Sequence, residues 1–86
     1  MAAVRERVYA VHSVKPDELG AVEVVYPTVD QALAYAADRS RDERVLSTSV
    51  TEYTMGSLGS RRPVTWFVEG VEQPPKFDRS RIYPAG

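Results

Sequence analysis

The chain has 86 residues and a formal net charge of −1 at pH 7, and it contains no cysteine. This length allows one domain, and the lack of cysteine excludes a disulfide framework and a thiolate metal site. The charged amino terminus is unlike a secretion signal, and no apolar run is long enough for a membrane span, so we expect a cytoplasmic protein.

The first two apolar segments predict an antiparallel hairpin. Residues 7–14 and 21–26 are rich in β-branched and aromatic side chains, which are typical of strands. Pro16 and Asp17 suit the centre of a type I turn, and Gly20 can adopt the positive φ that closes the loop.

A helix is predicted after the second strand. Pro27 ends that strand, and Thr28 precedes Gln31 by three residues, which is the spacing of a capping box. From Val29 to about Arg39, apolar residues recur with helical spacing and form one stripe that can pack on a sheet.

Two more strands and a tail follow the predicted helix. Residues 45–54 and 63–69 have strand character, and the Gly- and Ser-rich residues between them predict a loop. We therefore expect an α+β fold of order ββαββ over residues 1–70, with a four-stranded antiparallel sheet and one helix on one face. Residues 71–86 are expected to form an extended, proline-containing C-terminal arm.

Both faces of the predicted sheet carry apolar side chains, and one helix covers only one of them. The core expected beneath the helix is Val8, Ala10, Val22, Val24, Tyr26, Leu46, Val50, Val64, Trp66 and Val68. The uncovered face would then carry Tyr9, Val11, Val25, Tyr53 and Phe67. Exposed apolar patches of this size are typical of interaction sites, although antiparallel sheets also show mixed faces to water.

The tail is the second candidate for protein contacts. Residues 76–83 alternate basic and apolar side chains, and Phe77, Ile82 and Tyr83 are unusual in a pure linker. We expect the tail to dock, either on its own domain or on a partner chain, although terminal segments are often mobile.

No constellation in the sequence demands catalysis. His12 is the only histidine, and its neighbours Tyr9 and Ser13 do not supply a nucleophile with a carboxylate that orients the base. One histidine without cysteine also makes a poor transition-metal site. We therefore predict no catalytic residue, no metal ligand and no cofactor.

Four short motifs carry a resemblance to a known group of proteins. They are V-Y-x-V at residues 8–11, V-Y at 25–26, T-x-x-x-A-x-x-x-A at 28–36 and S-V-x-E-Y at 49–53. Through them roughly residues 7–54 resemble small uncharacterised proteins of actinobacteria and their phages. The resemblance implies a ββαβ core, no assigned activity and a small accessory protein, phage-encoded in part of that group, that acts by binding.

Two functions follow as expectations. The first is a non-enzymatic protein that acts by protein–protein interaction, either with itself as a homodimer or with a host protein. The alternative is a nucleic-acid binder whose sheet aromatics stack on bases and whose 55–62 loop and termini touch phosphates. Its basic contacts would be Arg5, Arg7, Arg61, Arg62, Lys76, Arg79 and Arg81. The net charge of −1 counts against this alternative.

Overall fold

A computed structural model describes residues 6–57 and 59–74 of the chain. In chain order the elements are β1 Arg7–Lys15, β2 Glu18–Tyr26, α1 Val29–Arg39, β3 Ser47–Thr54, β4 Arg62–Val68 and β5 Val71–Gln73. The five described strands form one antiparallel sheet in the order β2-β1-β3-β4-β5, and α1 packs on one face of it. The expected α+β class is confirmed, but the sheet has five strands instead of four.

Local chemistry explains where α1 begins and ends. Thr28 has extended backbone, and its Oγ1 accepts the N–H of Gln31 at 3.4 Å and donates to Oε1 of Gln31 at 2.8 Å. At the other end, the Ser40 hydroxyl donates to the Ala37 carbonyl at 2.8 Å and accepts the N–H of Gly70 at 2.7 Å. The predicted helix bounds are confirmed, and the end of the helix is tied to the β4–β5 turn.

The fifth strand follows a two-residue turn. Glu69 and Gly70 have φ values of 50° and 79°, and positive φ at both central residues is typical of a type I′ hairpin turn. Residues 71–73, expected to open the C-terminal arm, therefore pair with β4 instead. Glutamate is an unusual first residue for such a turn, so Gly70 alone signalled the turn in the sequence. The rest of the expected arm, residues 75–86, lies outside the described residues.

The core lies between α1 and the three central strands. Its buried centre consists of Val11, Ala32, Ala36, Val50 and Phe67. Because the helix contributes alanines here, its backbone approaches the sheet closely enough for the Thr48 hydroxyl to donate to the Ala36 carbonyl at 2.7 Å. Tyr26 packs against this centre, and its ring lies 5.9 Å from that of Tyr35 on α1.

The structure corrects much of the expected division between the two faces. Tyr9, Val11 and Phe67, expected on the uncovered face, lie beneath the helix. Seven residues of the expected core are instead on the opposite face or largely exposed: Val8, Ala10, Val22, Leu46, Val64, Trp66 and Val68. Only Val24, Tyr26 and Val50 of the expected core face the helix.

Two register shifts, together with a strand that is apolar on both sides, explain why side chains were assigned to the wrong face. Glu23 is an extra residue in β2, so Val22 lies opposite His12 while Val24 lies opposite Val11 on the helix side. A second shift in β4 leaves Val64 without a partner in β3. In β1 both alternating sets of side chains are apolar, so a period of two does not identify the buried set.

Candidate functional site

The sheet face opposite α1, called the helix-free face below, is the candidate site. Since side chains alternate along a strand and paired residues share a face, its members follow from the register. They are Val8, Ala10, His12, Val14, Val22, Val25, Ser47, Ser49, Thr51, Tyr53, Pro63, Trp66, Val68, Val71 and Gln73. None of these described positions is Asp, Glu, Lys or Arg, so the face is neutral apart from its histidine.

The charges of the central and outer strands lie on the other side of the sheet. Both carboxylate oxygens of Glu23 accept hydrogen bonds from Nε of Arg39 on α1, each at 3.0 Å. Glu52 lies opposite Arg62, with 3.9 Å between Oε1 and Nη1. Glu72 lies opposite Phe67 of the core. The fold therefore separates a charged, helix-covered face from a neutral, helix-free one.

Exposed apolar side chains mark the two margins of the helix-free face. Val22 and Val25 on the edge strand β2 are 53% and 50% exposed, and Val71 on β5 is 61% exposed. Between the margins, Tyr53 and Trp66 are partly buried. The indole Nε1 of Trp66 donates to the Pro74 carbonyl at 2.5 Å, which holds the ring at the β5 side of the face.

His12 lies at the middle of the helix-free face. It is paired with Val22 on one side and Ser49 on the other, and Ser49 is paired with Trp66. Its Nδ1 atom is buried and has no hydrogen-bond partner among the described residues. Burial, with a smaller contribution from the charge of Arg61, lowers the pKa of His12 below its ordinary value. Burial therefore favours the neutral form of the imidazole.

The surroundings of His12 lack the other parts of a catalytic set. Ser49 is its cross-strand neighbour, but no hydrogen bond joins the two side chains, and no strand carboxylate of the described face is present to orient the ring. In the part of the chain that the structure describes, no group of three or more potential ligands is suited to a metal ion. These observations give no support for chemistry at this position.

Apart from the helix-free face, a cleft near the end of the helix is a possible ligand site. This cleft of about 670 Å³ is lined by Lys15, Pro16, Asp17, Arg39, Glu43 and Arg44. Its two guanidinium groups are already engaged, because both Arg39 and Arg44 donate to the Asp42 carboxylate. Only the ammonium of Lys15 remains to attract an anion, which makes the cleft a weak candidate for a ligand site.

The predicted contact residues are divided between the two sides of the sheet. Val25 and Tyr53 lie on the helix-free face. Tyr9, Val11 and Phe67 do not, because they form part of the core. The remaining predicted contacts Phe77, Ile82 and Tyr83 fall outside the described residues, as do Arg5, Lys76, Arg79 and Arg81.

Three predicted basic contacts can be located, and all are exposed. Arg7 is in β1, Arg61 precedes β4, and Arg62 is its first residue. Arg62 faces Glu52, whereas the charge of Arg61 reaches His12 across the helix-free face. The structure therefore brings one of these three cations to the candidate site.

Sequence reasoning missed Val22, Trp66 and Val71 as members of the candidate site. A signal existed for Val71, since a glycine between two short β-branched runs is compatible with a tight hairpin. No comparable signal existed for Val22, whose position depends on the extra residue in β2.

Comparison with family models, curated proteins and solved structures gives no match for this chain. The resemblance to small proteins of actinobacteria and their phages therefore stays a prediction. Within residues 6–74, leaving out 58, no helix combines the length and apolarity needed to cross a bilayer.

Proposed function

We propose that this protein is a non-enzymatic accessory protein that acts by protein–protein interaction through the helix-free face. The observation that carries the proposal is the separation of charge between the two sides of the sheet. Glutamates and arginines of the strands lie on the helix side, while the opposite face is neutral and lined mainly by apolar side chains. A neutral apolar surface favours burial against another protein over contact with water or a polyanion.

The composition of the face supports the same function. Tyr53 and Trp66 are of the residue types that contribute most to protein interfaces. Val22 and Val25 are half exposed, so a partner that covers them removes apolar surface from water. Such burial stabilises the complex by roughly 25 cal/mol for every Å² of apolar surface. The polar members are hydroxyl, amide and imidazole groups, which lose less on desolvation than charged groups do.

The thin core gives a second reason for expecting a partner. A domain this small buries only about 60–65% of its unfolded surface, and two of the five central core residues are alanines. Binding of a partner to the native state would add stability by mass action.

Site-specific photo-crosslinking tests the proposed function. A benzophenone amino acid at Val25 should form a covalent adduct with a protein, whether a second copy or another polypeptide from the source cell. The same probe at Leu46 is the matched control, because Leu46 is apolar and 54% exposed but lies before β3 and off the helix-free face. Equal labelling from the two positions, or no protein adduct from either, would reject the proposal.

A second candidate function is binding of single-stranded nucleic acid. One observation favours it: two aromatic residues, Tyr53 and Trp66, share a sheet face with the positive charge of Arg61. Quenching of the single tryptophan by oligonucleotides, weakening steeply from low to high salt, would support this function. Unchanged fluorescence at low salt would remove it.

A further inference from the structure

We propose that the occupant of the helix-free face is a second copy of this chain, packed face to face about a two-fold axis. This inference rests on the proposed function and names its partner. The two sheets would stack about 10 Å apart, with their strands turned by roughly 30°, as in aligned sandwich packing.

Charge is the first argument for a second copy. A two-fold interface uses the same patch on both partners, so any net charge on the patch is brought towards its own copy. The helix-free face has no Asp, Glu, Lys or Arg at its described strand positions, and the pKa of His12 is lowered by burial, so the face carries little charge of its own. A strongly basic partner would find no opposite charge at these positions, and a strongly acidic partner would find only Arg61, which precedes β4.

Hydrogen bonding is the second argument. Ser49 and Gln73 are partly exposed and carry groups that both donate and accept, so the same set can pair with itself. A self-complementary surface needs this balance, whereas a face of donors alone would require a partner of the opposite kind.

Area is the third argument. The strands have 9, 9, 8, 7 and 3 residues, and at about 3.3 Å per residue and about 4.8 Å between strands they give a footprint of roughly 570 Å² per copy. Side-chain relief makes the accessible area larger than this flat footprint. The face thus approaches the roughly 800 Å² per partner of a standard specific interface.

Solution mass measured by light scattering tests the inference on the full chain. The wild-type mass should rise from monomer to dimer over about 5 to 500 µM protein, as mass action requires. Val25→Glu should weaken the dimer by about 100-fold, because two-fold symmetry buries two unpaired carboxylates. Leu46→Glu introduces the same charge at a similarly exposed apolar residue off the face, and it should change the dimer constant by less than about threefold.

A milder variant protects the test against misfolding. Val25→Ser removes apolar area from the face without adding charge, and it should weaken the dimer by about tenfold. Circular dichroism and thermal melting of the variants at low concentration should match the wild type, since Val25 is half exposed. Equal loss of dimer in Val25→Glu and Leu46→Glu would place the interface elsewhere and overturn the inference.

The remaining outcomes separate this inference from the proposed function. A wild-type monomer at every concentration, with the Val25 probe crosslinking to a different polypeptide, would overturn the second copy and leave the proposed function standing. A monomer whose Val25 probe links only to residues 75–86 of its own chain would overturn both.

Discussion

Both faces of the sheet carry apolar side chains, but they differ in how their polar groups are satisfied. On the helix side, the hydroxyl of Thr48 reaches the Ala36 carbonyl, and Glu23 binds Arg39 through both oxygens. On the helix-free face, the buried Nδ1 of His12 has no partner among the described residues. Apolar content therefore does not distinguish core from surface here, whereas the placement of charges and of their partners does.

The largest expected effect is on stability and comes from truncating a side chain beneath the helix. Phe67 is 7% exposed beneath α1, so Phe67→Ala should lower the free energy of unfolding by about 3–5 kcal/mol through lost burial and a residual cavity. Chemical denaturation at fixed protein concentration measures the change.

Val25→Thr provides the comparison on the helix-free face. It keeps a β-branched side chain at a half-exposed position, and it should change the unfolding free energy by less than about 0.5 kcal/mol. If the two substitutions had similar effects, the assignment of the faces would be wrong.

A smaller effect is expected where the helix side is fastened to the β4–β5 turn. Ser40 is 1% exposed, and its hydroxyl accepts the Gly70 N–H at 2.7 Å. Ser40→Ala leaves that N–H without this bond, which should cost about 1–3 kcal/mol. Thermal and chemical unfolding measure the loss, and Ser57→Ala, in the β3–β4 loop, is the control. A neutral Ser40→Ala would mean that water replaces the hydroxyl without penalty.

Acid should weaken the helix side through Asp42. Hydrogen bonds from the side chain and the backbone N–H of Arg44 lower the pKa of this carboxyl from 3.8 to about 2. Because the folded pKa lies below the unfolded one, the stabilisation is complete above about pH 4 and is lost as pH falls towards 2. Asp42→Asn should therefore flatten this limb in an acid titration of stability, and an unchanged limb would contradict the assignment.

The smallest expected effect concerns the helix-free face at mild acidity. The unfolded pKa of His12 is close to 6.5 and the folded one is lower, so the unfolded chain binds a proton first. Stability should begin to fall as pH drops below about 6.5, well before the Asp42 window opens. His12→Gln should remove this early loss, as measured by unfolding at pH 7.5 and pH 5. Persistence of the loss in the variant would point to another group.

The sequence predicted the elements better than their faces. The Pro27–Thr28 junction, the helix and the pairing of the first two strands were readable because caps and breakers act locally. The second strand nevertheless begins at Glu18, and Gly20 lies within it without the positive φ expected of a residue that closes the loop. The faces to which the β2 side chains point were not readable. The extra residue at Glu23 places the preceding side chains of the strand on the face opposite to the one that strict alternation predicts. The last strand depends on a glutamate with positive φ, which local preference disfavours.

The candidate site was predictable only in part for the same reason. Val25 and Tyr53 were correctly predicted to lie on the helix-free face. Both lie in parts of their strands where pairing with β1 has no register shift, so simple alternation applies. Phe67 and Trp66 are neighbours in β4, and either could fill the core by hydrophobicity alone. Their assignment depends on pairing with Thr48 and Ser49 of β3, which is a long-range fact that the sequence pattern does not contain.

The extra residue in β2 also bears on how copies of this chain can aggregate. β2 lies at one margin of the sheet, where open backbone groups invite strand addition and fibre growth. The irregularity at Glu23 breaks the even spacing of those groups, and Pro27, just beyond the strand, cannot donate to a new ladder. Edge-to-edge polymerisation through β2 is thereby discouraged, which is consistent with the closed pair that we propose.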